Sequence, residues 1–250
     1  MWLTRAWRAR WPGVLEVLLF IALTVAYEWV RDLVAPATDA AVSAAFRHAH
    51  DVVRWESDLG LHAEGAVQRI THHIPGGDFA TKWYYTLAHT PGFIIFFVLL
   101  WWFRKPQFAF VRNWFWTTHL FALTLFWRFP TAPPRFQDAS MHDTTRETLR
   151  LGGALDWFQS LRNEYAAVPS LHIGYNVLYA LTITWVLRDR GRWRYLAWLL
   201  PAWMAWVTMA TANHYWFDGV AGAACVLAAL GVVHLVSARD IPRPWQAVRT

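Results

Sequence analysis

The chain has 250 residues, of which 56% are hydrophobic, and it carries 19 tryptophans and a formal net charge of +6. Its basic residues are grouped in short segments between apolar runs, and no nucleic-acid-binding motif accompanies them. Repeated apolar runs of about 20 residues match the length that crosses about 30 Å of hydrocarbon. The composition therefore excludes an ordinary soluble domain and a nucleic-acid partner. It predicts one membrane-embedded domain over residues 1–250.

Six apolar runs of helix-spanning length follow one another along the chain. They cover Gly13–Val30, Trp83–Phe103, Trp114–Phe129, Pro169–Leu187, Trp193–Ala212 and His214–Val236. Tryptophan and tyrosine cluster near their ends, as in the aromatic belts at membrane–water interfaces. We therefore predict an all-α, polytopic membrane protein with six transmembrane helices. The first run lacks a small-residue cleavage site, so it is predicted to be a retained helix rather than a signal peptide.

The basic residues predict the orientation of these helices. Thirteen of the 23 Lys and Arg residues lie in the N-terminus, Arg104–Arg112, Arg188–Arg194 and the C-terminal tail. With six spans these four segments fall on one side, which the positive-inside rule makes cytoplasmic. Both termini are therefore predicted to be cytoplasmic, and the long connections 32–82 and 130–168 are predicted to face outward. The location is the plasma membrane if the protein is bacterial.

The two long connections contain weaker helical signals. Val42, Phe46, Ala49 and Val53 recur at helical spacing, opposite charged residues, which predicts an amphipathic helix at the membrane interface. A second short helix is predicted from His62 to His73. The later connection opens with Pro130–Pro134, which cannot continue a helix, and is predicted to regain a turn near 140–151.

His214 and Asp218 are the first pair of residues with a chemical interpretation. Residues four apart share a helix face, so Asp218 can accept a hydrogen bond from one imidazole nitrogen of His214. That bond fixes the tautomer and presents the other nitrogen as a base or nucleophile. An interhelical His–Asp pair with a purely structural role is the alternative.

His172 follows Pro169-Ser170 at the start of the fourth run. Proline suits the first helical position, so we expect free N–H groups here that form an anion site, with Ser170 as a further donor. The fourth and sixth runs both start on the outer side. His172 and His214 should therefore lie at similar depth.

Arg128 and Arg135 bracket the outer end of the third run, at the level of the two histidines. Arginine is suited to bidentate contact with phosphate. For either arginine alone, a topological or snorkelling role is the alternative. Together with the two histidines, Asp218 and Ser170, they form a set suited to phosphoryl transfer.

Two motifs carry a family resemblance. Pro169-Ser-x-His172 and His214-x-x-x-Asp218 resemble the second and third signature motifs of the type 2 phosphatidic acid phosphatase superfamily. Phe129–Arg135 and Asn213-His-Tyr215 are most similar to its inositol phosphorylceramide synthase-like branch. The resemblance implies His214 as the nucleophile that forms a phosphohistidine, Asp218 as its orienting group and His172 as the acid for the leaving oxygen. Ser170 and the arginines would hold the phosphoryl oxygens, and the resemblance implies no metal and no cofactor.

Departures from the superfamily pattern concern the cations. The first motif is normally Lys-x6-Arg-Pro, whereas this loop has Arg128-x6-Arg135-Phe136. Lys105-x6-Arg112 has the same spacing but is predicted to lie on the cytoplasmic side. Val207-Thr208 replaces the Ser-Arg that normally precedes the third motif. Asn213 or Arg128 is expected to substitute for the missing arginine.

Other polar residues in or near the apolar runs keep two interpretations. His72 and His73, with His62 and Asp78, could bind a metal, although adjacent histidines point to different faces of a helix. The intramembrane residues either line a headgroup pocket or bond a neighbouring helix; they are Glu16, Glu28, His89 and His119. His142 and Asp143 are candidates for substrate contact.

The sequence thus predicts a membrane enzyme that cleaves a lipid phosphoester at the extracytoplasmic face. The acceptor stays open between water, which gives a phosphatase, and an alcohol, which gives an inositolphosphoryl-type transferase. The alternative is a non-catalytic transporter or scaffold, for which broken helices near the mid-membrane are expected. The sequence fixes neither the lipid nor the oligomeric state.

Overall fold

The protein is described by a computed structural model over residues 13–145 and 163–237. Within these ranges the chain is all-α, apart from an isolated bridge between Thr131 and Ala166. The α-helices are α1 Gly13–Leu33, α2 Asp39–Asp58, α3 Glu64–His73, α4 Gly77–Ala88, α5 Thr90–Phe103, α6 Lys105–Arg128, α7 Pro134–Gln137, α8 Leu171–Val186, α9 Leu199–Ala210 and α10 Trp216–Ser237. A 3₁₀ helix, Gly191–Trp198, precedes α9.

Two of the described helices, α1 and α10, are long and apolar enough to cross a membrane. A third span is counted if α4 and α5 form one bent element, with a bend of 52° between Gly77–Ala88 and Pro91–Phe103. Pro91 explains the bend, because proline lacks a backbone N–H and disfavours helical geometry in the residue before it. The apolar helices indicate a membrane protein, as predicted.

The other predicted spans take different forms, so the count of six stays a prediction. The third run lies in α6, a 24-residue helix that also contains Lys105, Arg112 and Arg128. The fourth run forms α8, which has only 16 residues. The fifth run is divided into the 3₁₀ helix and the 12-residue α9.

The connection between the first two runs is helical, as predicted. Thr38 caps α2 by accepting the N–H of Ala41 at 3.2 Å. The buried face of α2 differs from the predicted stripe and consists of Ala45, Ala49, Val52 and Glu56. This face packs on α7 and α10, so protein contacts rather than lipid cover it. The interfacial position of α2 stays a prediction, as does the turn at 140–151, half of which lies outside the described residues.

The core is formed by α6, α8 and α10, with α9 on the other side of α8. The indole N–H of Trp114 in α6 donates to the carbonyl of Val226 in α10 at 2.7 Å. Because both groups are buried, this bond satisfies a donor that has no access to water. This bond therefore holds α6 against α10 inside the core.

A buried ion pair joins α1 to this core. One guanidinium nitrogen of Arg112 in α6 donates to both carboxylate oxygens of Glu16. Each of these two charges would be costly to bury alone. Glu16 therefore bonds a neighbouring helix, which was one of its two predicted interpretations, and Arg112 is engaged away from the predicted site.

Candidate active site

His214 lies in the turn before α10, and Asp218 lies in the first turn of that helix. His214 Nδ1 is 3.1 Å from Asp218 Oδ2 and 2.9 Å from the Ala167 carbonyl oxygen. Both neighbours are acceptors, so Nδ1 carries the proton and Nε2 holds the lone pair. Asp218 also accepts the N–H of Tyr215 at 2.9 Å, which shapes the turn. The predicted hydrogen bond is therefore present, although His214 precedes the helix.

His172 lies in the first turn of α8, with Ser170 as the N-cap. The Ser170 hydroxyl accepts the N–H of Ile173 at 3.4 Å, so the helix starts later than the predicted start at Pro169. The ring centroids of His172 and His214 are 5.7 Å apart, and both residues are buried. Two histidines from different helices are thus brought together, as their predicted depth required.

The ring of His172 is held by aromatic neighbours. It stacks on Tyr85 of α4 with centroids 4.0 Å apart and planes 19° apart. The ring centroid of His89, at the bend between α4 and α5, is 4.5 Å from the ring centroid of His172. His89 therefore lines the surroundings of His172.

Arg135 in α7 approaches His214 through Asn213. Its Nη1 donates to Asn213 Oδ1 at 2.7 Å, and its Nε is 3.0 Å from Asp143 Oδ2. The Arg135 backbone N–H also donates to the carbonyl of Ala212 at 3.3 Å. These bonds place one positive charge beside the turn that carries His214. Asp143, a candidate for substrate contact, binds this arginine.

Ser170 and Arg128 occupy contrasting places. Ser170 is fully buried, and its N–H donates to the Asp218 carbonyl at 2.9 Å, which links the starts of α8 and α10. Arg128 is exposed at the end of α6, with its guanidinium carbon 4.7 Å from the Trp127 ring centroid. Six of the seven predicted site residues are therefore linked by the described contacts, whereas Arg128 lies outside this group.

The start of α8 touches α10 at a glycine. A Cβ at Gly222 would lie 2.2 Å from the Ser170 carbonyl oxygen, a distance that no side chain tolerates. Glycine is thus required here for the two backbones to approach. The distance between His172 and His214 depends on this contact.

Two buried glutamates were missed by the sequence analysis. Glu56 of α2 accepts the N–H of Phe217 at 2.7 Å, and Glu64 of α3 accepts that of Trp216 at 2.9 Å. They satisfy the first donors of α10, a role that a local side chain usually fills. Burial raises the pKa of Glu56 to about 9; the Phe217 N–H lowers it, and Glu64 raises it further. The position of Glu56 on the apolar face of α2 was the only sequence signal that could have indicated this role.

Lys82 is a third residue that was missed. It is only 5% exposed and lies one turn before Tyr85 on the buried face of α4. Residues three apart on a helix are neighbours on its surface. Lys82 therefore adds a cation on the helix face that reaches His172.

The remaining predicted candidates have other partners. His119 bonds Tyr175 and the Phe115 carbonyl, at 2.7 and 2.8 Å, and so joins helices. His72 pairs with Asp78 at 2.7 Å, and no group of three ligands forms there among the described residues. The described residues thus do not bring His62, His72, His73 and Asp78 together as a metal group. His62 lies instead with the two missed glutamates.

Comparison with known families gives one result that fits this geometry. The chain matches the PAP2 superfamily over residues 50–232, which is more than half of its length and includes every predicted site residue. Comparison with curated proteins and with solved structures gives no match. The resemblance carried by the two histidine motifs is thus confirmed at the level of the superfamily. The chain belongs to the PAP2 superfamily, whose members are phosphatases and phosphotransferases.

Proposed function

We propose that this protein is an integral membrane enzyme that cleaves a lipid phosphoester at the extracytoplasmic face. Its superfamily membership indicates phosphatase-type activity. The observation that carries the proposal is the pairing of His214, whose Nδ1 is held by Asp218, with His172 on a second helix. One imidazole is oriented to attack, and another is near enough to transfer a proton.

The proposed reaction has two steps. In the first, His214 Nε2 forms a bond to phosphorus while the bond from phosphorus to the lipid oxygen breaks, and His172 gives that oxygen a proton. In the second, water or an alcohol attacks the phosphohistidine and the P–N bond breaks. His172 takes the proton of the attacking group and returns to its starting state.

Arg135 is the best-placed ligand for the phosphoryl oxygens. Its guanidinium is fixed by Asn213 and Asp143, so little rearrangement is needed when charge spreads in the transition state. Ser170 is proposed as a further donor, because its capping bond uses an oxygen lone pair and not the hydroxyl proton. Arg128 stays a proposed ligand that would have to turn inward from Trp127.

The acceptor is water or an alcohol. The resemblance of Phe129–Arg135 and Asn213–Tyr215 to the inositol phosphorylceramide synthase-like branch supports a transferase. Both reactions share the first step, and no cofactor is proposed for either. The proposed orientation places both termini in the cytoplasm. It is supported by the positive-inside rule, since 13 of the 23 Lys and Arg residues lie in the four segments predicted to share one side.

One observation favours a non-catalytic transporter as the second candidate. The α4–α5 pair bends at His89, beside His172, and broken helices line substrate paths in transporters. A transporter, however, needs no histidine with an oriented lone pair. The two candidates differ in whether a covalent bond is broken.

The proposed function is tested by incubating purified protein with a panel of lipid phosphates and identifying products by mass spectrometry. We expect phosphate or a phosphorylated alcohol to be released from at least one lipid, with inhibition by vanadate, a mimic of the transferring phosphoryl group. A short-chain impermeant substrate added to intact cells should yield product outside. A panel that yields no vanadate-sensitive product would favour the transporter, and product formed only inside would reverse the orientation.

The glycine contact gives a prediction about geometry. Gly222→Ala should separate α8 from α10 and lower turnover by about 10²-fold, since a shift near 1 Å has such an effect on positioned groups. The matched control is Gly231→Ala on the same helix, where a Cβ meets nothing within 4 Å. Turnover per folded molecule is the measurement. Equal turnover in the two variants would show that the close approach does not position the histidines.

A further inference from the structure

Three side chains with metal-binding atoms meet where α2 ends, α3 begins and α10 begins. Glu56, His62 and Glu64 each present one ligand atom, and these atoms lie within 4.8 Å of one another. His62 Nδ1 is 3.0 Å from Glu64 Oε2 and 3.5 Å from Glu56 Oε2. Ligands about 2.1 Å from a tetrahedral zinc ion lie roughly 3.4 Å apart. Small side-chain movements therefore suffice to close the site around an ion.

The two carboxylates are already oriented for this purpose. The N–H groups at the start of α10 occupy one oxygen of each, Oε1 of Glu56 and Oε1 of Glu64. The second oxygens consequently face His62. Carboxylates that bind metals are commonly held by such outer hydrogen bonds.

An unsatisfied atom in the group independently indicates a ligand. Glu56 is only 2% exposed, and its Oε2 has no hydrogen-bond donor among residues 13–145 and 163–237. A buried carboxylate oxygen without a donor is costly. Within the same ranges no lysine or arginine lies within 4 Å of either glutamate, and His62 is the one basic side chain there. Two buried acids and one imidazole therefore require a cation or a proton.

We propose that Glu56, His62 and Glu64 bind one divalent transition-metal ion, with zinc as the best fit to two carboxylates and one imidazole. The half-exposed side chain of His62 supplies the entry route and leaves room for water as a fourth ligand. The ion ties the ends of α2 and α3 to the first turn of α10, which contains Asp218. It stabilises the site and takes no part in phosphoryl transfer, so the proposal does not depend on the proposed function.

The test compares two histidine variants of the full-length protein, purified in detergent without a polyhistidine tag and stripped with EDTA. His62→Ala removes a ligand, whereas His72→Ala removes an exposed histidine that bonds only Asp78 in the described contacts. Zinc is titrated, retained metal is measured by mass spectrometry, and thermal unfolding is recorded. We expect about one zinc per chain and a raised Tm in the wild type and in His72→Ala.

In His62→Ala, we expect the zinc affinity to fall by at least about tenfold and the Tm response to disappear. Glu56→Gln serves as a second ligand variant, since it keeps an acceptor for the Phe217 N–H but loses the charge. It should lose zinc in the same way. Failure of the wild type to retain zinc, or equal affinity in wild type and both ligand variants, would overturn the proposal. Lipid turnover is not used as a readout, so the proposed function can fail without affecting this result.

Discussion

His214→Ala is expected to abolish both turnover and the covalent phosphoenzyme. The variant removes the nitrogen that forms the P–N bond, and no neighbouring group can replace it from the same position. In the structure this nitrogen is oriented by two acceptors at Nδ1, Asp218 and the Ala167 carbonyl. The phosphoenzyme is measured by rapid quenching with radiolabelled substrate, with exposed His73→Ala as the control that should label normally.

His172→Ala should give a different result, because in the first step the proton of His172 serves only the leaving group. With a lipid substrate we expect a loss of about 10²–10⁴-fold, the usual contribution of positioned acid–base catalysis. With a nitrophenyl phosphate, whose leaving group needs no proton, the loss in the rate of the first step, measured as the initial release of nitrophenol, should shrink for His172→Ala and not for His214→Ala. Equal dependence of both variants on the leaving group would show that the roles of acid and nucleophile are wrongly assigned.

The sequence predicted the parts of this site that depend on local spacing. His214 and Asp218 are four residues apart, so a hydrogen bond between them was predicted, and it is present at 3.1 Å although His214 lies in the turn before α10. The order of the apolar runs predicted that His172 and His214 lie at similar depth, since both runs start on one side.

The parts that depend on tertiary packing were not predictable in the same way. Glu56 and Glu64 look like surface acids of two short helices, and only packing of α2 and α3 against α10 makes them its caps. Arg128 and Arg135 were predicted as phosphate ligands from their spacing, but spacing does not decide which way a side chain turns at a helix end. The helix break at Pro91 was missed because Trp83–Phe103 was predicted as one span from its length, although a proline inside a run favours a break.

Loss of the forked guanidinium group of Arg135 is expected to have the second large effect on turnover. Arg135→Lys keeps the charge but loses the planar donors that reach Asn213 and Asp143 at the same time. Loss of one donor to a transition-state oxyanion lowers kcat by about 10²–10³-fold. We expect a loss of this size, with weaker vanadate binding, because both depend on the trigonal-bipyramidal phosphoryl group.

The same substitution at Arg128 tests the second proposed ligand. Because Arg128 is exposed and lies over Trp127, Arg128→Lys should lower turnover less than Arg135→Lys. Arg112→Lys is not a neutral control, since Arg112 holds buried Glu16. Near-normal turnover and vanadate affinity in Arg135→Lys would remove it from the site. Phosphate ligands would then be sought at Lys82 and Arg128, because a phosphoryl group with no adjacent cation would leave its spreading charge unbalanced.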